Sequence, residues 1–131
     1  FLTPQQGEAV DPARIAAFFS SDLGRELMAS TSLRREFKFS ILVPAADYYQ
    51  EAEKGEQVLL QGVVDCYFET LEGITVVDFK TDRVTRRTVA ERAEEYRPQL
   101  TAYSRALEEI TGKPVARRCL WFFAIDQAVE V

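Results

Sequence analysis

The stretch Val76 to Asp82, VVDFKTD, decides how the rest of the chain is read. It opens like a buried strand, yet Asp78 and Lys80 stand where such a strand places valine or isoleucine. Side chains alternate faces along a strand, so Asp78 and Lys80 point one way and Val77 and Phe79 the other. Working outward, Gln57 to Phe68 and Ile74 to Phe79 are both rich in β-branched and aromatic residues and flank the turn-like Leu71-Glu72-Gly73. This pattern predicts a β-hairpin.

The register of that hairpin sets the chemistry. A two-residue turn at Leu71-Glu72 places Asp65 opposite Asp78, and one at Glu72-Gly73 places it opposite Lys80. In either case Asp65, Asp78 and Lys80 share a face, and Val64, Cys66, Phe68, Val77 and Phe79 form the core face. A three-residue loop without a compensating bulge sends Asp65 to the wrong side. Two carboxylates this close repel by about 4 kcal/mol at about 4 Å for an effective dielectric of about 20. Two readings follow. Lys80 bridges the acids as a plain charge cluster, or Asp65 and Asp78 hold Mg²⁺ or Mn²⁺ that activates water and neutralises a phosphate, with Lys80 steadying the water or the developing charge. A lysine beside two acids fits phosphodiester hydrolysis better than glycoside hydrolysis, whose two carboxyls work without a fixed ammonium.

Composition narrows the alternatives. With 131 residues, 47% apolar and 28% charged, the chain has the size and mix of one folded domain. It contains no histidine, which removes Ser-His-Asp and Cys-His catalysis and histidine-ligated zinc. Cys66 and Cys119 lie far apart without CxxC spacing and read as small core residues. No apolar run approaches the ~20 residues of a membrane span, and no signal-peptide pattern opens the chain, so a cytoplasmic protein is expected. The net charge of −5 disfavours a free-standing nucleic-acid binder, so a polyanionic ligand requires cations or a partner to supply positive charge.

Asp11-Pro12 predicts a helix start followed by Ile15, Phe18 and Phe19, and Ser21-Asp22 a second one ahead of Leu23, Leu27 and Met28. From Leu33 the period changes to alternation through Val43, and Pro44 ends this strand before a loop with a helical turn. A long helix is expected after Val89, with Tyr96, Leu100, Tyr103, Leu107 and Ile110 along one side, Pro98 kinking or restarting it, and Gly112-Lys113-Pro114 closing it. Cys119 to Ile125, CLWFFAI, suits a strand covered on both faces and parallel to its neighbour through the long helix. The fold class is α/β, with a mixed central sheet flanked by helices.

Gly62-Val63-Val64-Asp65, then Asp78-Phe79-Lys80, then Gln99-Leu100-Thr101-Ala102-Tyr103 on a helix, taken in this order and spacing, strongly resemble the RecB-type branch of the PD-(D/E)XK nucleases. Within it the chain is most similar to the C-terminal nuclease domain of AddA-type helicase-nucleases, over roughly Leu33 to Phe123. The resemblance implies a restriction-endonuclease-like core and an Mg²⁺-dependent exonuclease domain, with Mn²⁺ as substitute. Its substrate is DNA, mainly single strands unwound by a helicase in the same parent chain, in double-strand break repair and recombination together with a second helicase-nuclease subunit. It implies that Asp65 and Asp78 ligate the metal, that the backbone carbonyl of Phe79 adds a ligand, that Lys80 is catalytic, and that Gln99 and Tyr103 lie beside the site and the DNA.

The chain departs from this family at one point: relatives draw another metal ligand from a histidine on an upstream helix. A chain starting at Phe1-Leu2-Thr3-Pro4 is expected to be a piece of a longer protein lacking that helix, and so to bind metal weakly and cut DNA poorly. The alternative is a nuclease-like module that no longer cuts and serves for docking or DNA guiding. Glu36 and Lys38 lie on the polar side of the first strand, Glu36 as a candidate supporting carboxylate. Arg83, Arg86 and Arg87 form a basic cluster able to meet phosphates.

Other signals carry less. Gly112-Lys113 looks like the end of a Walker A loop, but Leu107 occupies the required glycine position, so no ATP site is expected here. Two cysteines cannot hold an iron–sulfur cluster. Trp121-Phe122-Phe123 reads as core, and Tyr48-Tyr49 as loop.

Overall fold

The computed structural model describes residues 10–131. The opening Phe1-Leu2-Thr3-Pro4 and any segment upstream of it lie outside the described residues. Two short helices come first, α1 (Pro12–Ser20) and α2 (Asp22–Ala29). Asp11 caps α1 by accepting from the Ala13 N–H, and Ser21 caps α2 by accepting from the Gly24 N–H. Gly24 is required where the two meet, because a Cβ there falls 2.0 Å from the Phe18 carbonyl oxygen.

Five strands form one sheet in the order β1 (Arg34–Pro44), β2 (Gln57–Thr70), β3 (Gly73–Lys80), β4 (Val115–Phe122) and β5 (Gln127–Glu130). A single 3₁₀ turn, Ala45–Asp47, follows β1. All pairings are antiparallel except β3 with β4, which are parallel and joined through α3 (Val89–Thr111). The sheet is therefore mixed, as expected. Pro98 neither ends α3 nor restarts it; the helix runs through that residue to Gly112, whose φ of 72° closes it. No described helix is long and apolar enough to cross a membrane.

The sheet separates two cores. On one side Phe18, Leu23 and Leu27 of the helical pair pack on Cys66, Phe68, Val77, Phe79, Cys119 and Trp121. The Phe18 ring meets Phe79 and Trp121 edge-on, with centroids 5.0 and 5.1 Å away. On the other side Leu100, Tyr103 and Leu107 of α3 pack on Val64, Tyr67, Val76, Leu120 and Phe122. Ile110 and Met28 stay exposed, contrary to their place on the apolar stripes.

Val64 also corrects the sequence-based expectation of a core face shared with Cys66 and Phe68. Val64 and Tyr67 both pack with α3, although regular alternation puts residues an odd number of positions apart on opposite faces. The break lies at Asp65. Its partner position across β1 is occupied by Glu36, between the pairs Arg35↔Cys66 and Phe37↔Val64, and Glu36 adopts a left-handed φ of 50°. Both strands change face together there, so the register survives while the side chains reassign. Lys38 pairs with Val63 between Phe37 and Phe39, which pack with α3. It therefore points away from the α3 side.

Candidate active site

The hairpin adopts the two-residue turn, with Thr70 paired to Gly73 and Cys66 to Val77. That register carries Asp65 to the position opposite Asp78. The side chains then meet. Asp65 Oδ2 accepts from the Phe79 N–H at 2.8 Å, which ties the carboxylate of β2 to the backbone of β3. Lys80 Nζ stands 2.7 Å from Asp78 Oδ2 and donates to Gln99 Oε1 at 2.8 Å, and Gln99 Nε2 donates to the Tyr103 hydroxyl at 2.9 Å. Strand ends and helix are thus joined through one polar chain.

Most of this cluster lies below the surface. The side chains of Lys80 and Asp78 are only 13% and 4% exposed. Asp78 Oδ2 is enclosed and lies against the Lys80 ammonium, with no other donor aligned on it among the described residues. Burial, and then the charge and hydrogen bond of Asp65, push the Asp78 carboxyl up to about 7 against the opposing pull of Lys80. Burial and the two aspartates likewise raise the Tyr103 hydroxyl to about 12. Tyr103 is both packed and polar: its ring packs edge-on against Phe39 at 5.8 Å, and its hydroxyl accepts from Gln99 at the end of the polar chain.

Two residues that the sequence does not mark as part of the site complete the surroundings of Lys80. Its ammonium lies over the Tyr96 ring, 3.9 Å from the centroid, and the Tyr96 hydroxyl donates to Asp82 at 2.8 and 2.9 Å to its two oxygens. Burial and Asp82 push this hydroxyl up to about 12. A signal was present: Tyr96, Gln99 and Tyr103 repeat at three and four positions on α3, and Asp82 continues the alternation of Asp78 and Lys80.

The basic cluster is not drawn into this chain of contacts. Arg83, Arg86 and Arg87 are exposed, and Arg83 lines a shallow groove with Asp11, Arg14, Thr81 and Phe123. Glu36 is exposed at its backbone position opposite Asp65.

The chain matches the model of the PD-(D/E)XK nuclease superfamily over residues 5–130. It belongs to that superfamily. Among curated proteins, it is 47% identical over 126 residues to an ATP-dependent helicase/nuclease subunit of Acetivibrio thermocellus, covering 93% of this chain and 10% of that protein. The subunits of the same name from Clostridium botulinum and Bacillus mycoides are 36% and 37% identical, over 100% and 99% of the chain and 10% and 11% of their own length. The chain therefore spans about a tenth of the curated relatives it matches. The mixed five-stranded sheet with flanking helices agrees with the superfamily's α/β core.

Superfamily members use divalent metal ions, and the donor set here fits one in part. Two carboxylates lie close together, one with a buried oxygen that faces only the Lys80 ammonium among the described residues, and hard cations prefer such oxygens. Among the described residues no group of three or more metal-ligating side chains converges, so Asp65 and Asp78 offer an incomplete set.

Proposed function

We propose that this chain is the Mg²⁺-dependent nuclease domain of a helicase-nuclease polypeptide, hydrolysing phosphodiester bonds of DNA strands delivered by the attached motor during double-strand break repair. The observation that carries this reading is the meeting of Asp65, Asp78 and Lys80 in one enclosed cluster at the hairpin. Asp65 and Asp78 would hold the metal, with the Phe79 carbonyl as a further ligand and the missing donors supplied from outside the described residues. When bound, the cation supplies charge stabilisation at the phosphate and a more acidic water.

The protein's own groups do the rest. The hydrogen bond from the Phe79 N–H holds the Asp65 carboxylate in place before metal or DNA arrives. Lys80, held between Asp78 and Gln99, presents its ammonium to the attacking water or to the developing phosphate charge. Gln99 and Tyr103 line the approach of the strand, Glu36 supports the carboxylate pair from the neighbouring strand, and Arg83, Arg86 and Arg87 meet DNA phosphates at the rim. A motor that grips DNA elsewhere explains how a chain of net charge −5 serves a polyanion.

Asp78→Ala and Lys80→Ala in the parent polypeptide, with DNA cleavage and ATP hydrolysis measured separately, test these roles. Unchanged cleavage in both variants rules them out. A second reading, a nuclease-like docking or DNA-guiding module that does not cut, is favoured by the incomplete ligand set. Calorimetric titration of the parent with Mn²⁺ separates the two: binding that disappears in Asp65→Ala supports the enzyme, and no binding supports the module.

A further inference from the structure

The Lys80 ammonium is confined from three directions. Asp78 Oδ2 lies at 2.7 Å, Gln99 Oε1 at 2.8 Å, and the centroid of the Tyr96 ring at 3.9 Å. A lysine side chain is a flexible stem carrying a point charge, and two polar partners leave it free to swing about the line joining them. The aromatic face blocks that motion and attracts the cation through its quadrupole. Tyr96 is itself fixed, because its hydroxyl donates to both oxygens of Asp82, at 2.9 and 2.8 Å. Asp82 in turn stands 3.5 Å from Arg92 Nη1, one turn ahead of Tyr96 on α3.

We infer that Tyr96 is a positioning residue for the proposed reaction, holding the Lys80 ammonium over its ring at the correct height while Asp82 anchors the ring. The inference rests on the assignment of Lys80 to the reacting centre. Its logic is geometric. Asp82 lies two residues beyond Lys80, so the end of β3 carries the lysine and the segment just after it tethers the ring that holds it. The tether ties the ring on α3 to the segment that follows β3, which fixes the ring relative to the ammonium; a reacting centre tolerates placement errors of only about 1 Å.

Proton and carbon NMR of the chain with ¹³C-labelled lysine tests the placement without any cleavage assay. The lysines are Lys38, Lys54, Lys80 and Lys113, and Lys80→Arg identifies the resonance of interest. Protons above an aromatic face move upfield. The Lys80 ε-methylene is expected upfield of the other three in the native chain, upfield by less in Tyr96→Phe, which keeps the ring but loses its anchor, and to return to their position in Tyr96→Leu. Asp82→Asn, which weakens the anchor, is expected to give an intermediate shift. A native Lys80 resonance that coincides with the other lysines overturns the inference without reliance on any variant. So does a shift that survives Tyr96→Leu.

In the parent polypeptide, Tyr96→Leu is expected to lower kcat for DNA cleavage about tenfold, with KM within about twofold, and Tyr96→Phe to recover only part of the loss. Equal kcat in Tyr96→Leu and the native enzyme contradicts a positioning role. Failure of the nuclease reading is distinguishable: cleavage is then insensitive to Asp78→Ala, while the ring-current shift of Lys80 remains.

Discussion

Val77 and Phe79 leave β3 toward one layer of the protein, and Asp78 and Lys80 toward the other. The layer under α1 and α2 is built from aromatic and aliphatic groups: Phe18, Phe68, Phe79, Trp121 and Phe123 around Cys66 and Cys119. The layer under α3 starts in the same way, with Ile74, Val76 and Leu120, and turns polar at the end of the strand. There Asp65, Asp78, Lys80, Gln99, Tyr103, Tyr96 and Asp82 are gathered through a series of contacts. Alternation lets a single strand serve both. Burial of the apolar face stabilises a segment whose other face carries a repelling acid pair. The comparison predicts that substitutions on the two faces fail differently, the α3 side in chemistry and the α1 side in folding.

The largest effect belongs to the polar end. On the proposed function, Asp78→Ala and Lys80→Ala are expected to reduce DNA cleavage by the proposed helicase-nuclease polypeptide about 100-fold or more, with ATP hydrolysis unchanged. On the apolar face, Phe18→Ala removes a fully enclosed ring and should cost about 3–5 kcal/mol in denaturant unfolding. A Phe18→Ala chain as stable as the native one breaks the comparison.

The acid pair gives the third prediction, and its sign is unusual for a carboxylate. The folded pKa of Asp78 is about 7 against an ordinary 3.8, so the fold prefers the protonated form. Below about pH 4 this has no effect on stability; between about pH 4 and 7 stability is progressively lost, and above about 7 the loss is complete. Asp78→Asn in the presence of a chelator should therefore raise stability at about pH 8 on the order of 2 kcal/mol, and the gain should vanish at about pH 4. Thermal melts across that range check it. The smallest effect is expected far from the site: Gly112→Ala, at φ 72°, should cost about 1 kcal/mol and leave cleavage intact.

What was legible in the sequence was local. The caps Asp11 and Ser21, the two-residue turn and the Gly112 stop follow from residue chemistry within a few positions, and the structure reproduces them. That Asp65 shares a face with Asp78 and Lys80 followed from an even turn, but which of the two it faces depended on where the turn falls, and the sequence left that open. The face switch at Glu36 and Asp65 was not readable, because it arises from two strands deforming together. β4 starts at Val115, earlier than the apolar run, because Arg117 and Arg118 precede that run with bonds of their own, Arg117 to Thr75 and Glu26 and Arg118 to the Val131 carbonyl. β5 escaped notice because Gln127–Glu130 is short and polar, a strand only by virtue of its pairing with β4. Tyr96 and Asp82 were visible as spacing, but nothing in spacing says that a ring lies under an ammonium.

Anomalous diffraction from a Mn²⁺-soaked crystal of the proposed helicase-nuclease polypeptide tests the central claim most directly. The account predicts a manganese peak at about 2.0–2.6 Å from a carboxylate oxygen of both Asp65 and Asp78, with the Lys80 ammonium beside it and Tyr96 beneath that ammonium. Manganese bound only at other carboxylates, with the Asp65–Asp78 pair left to Lys80 alone, contradicts it.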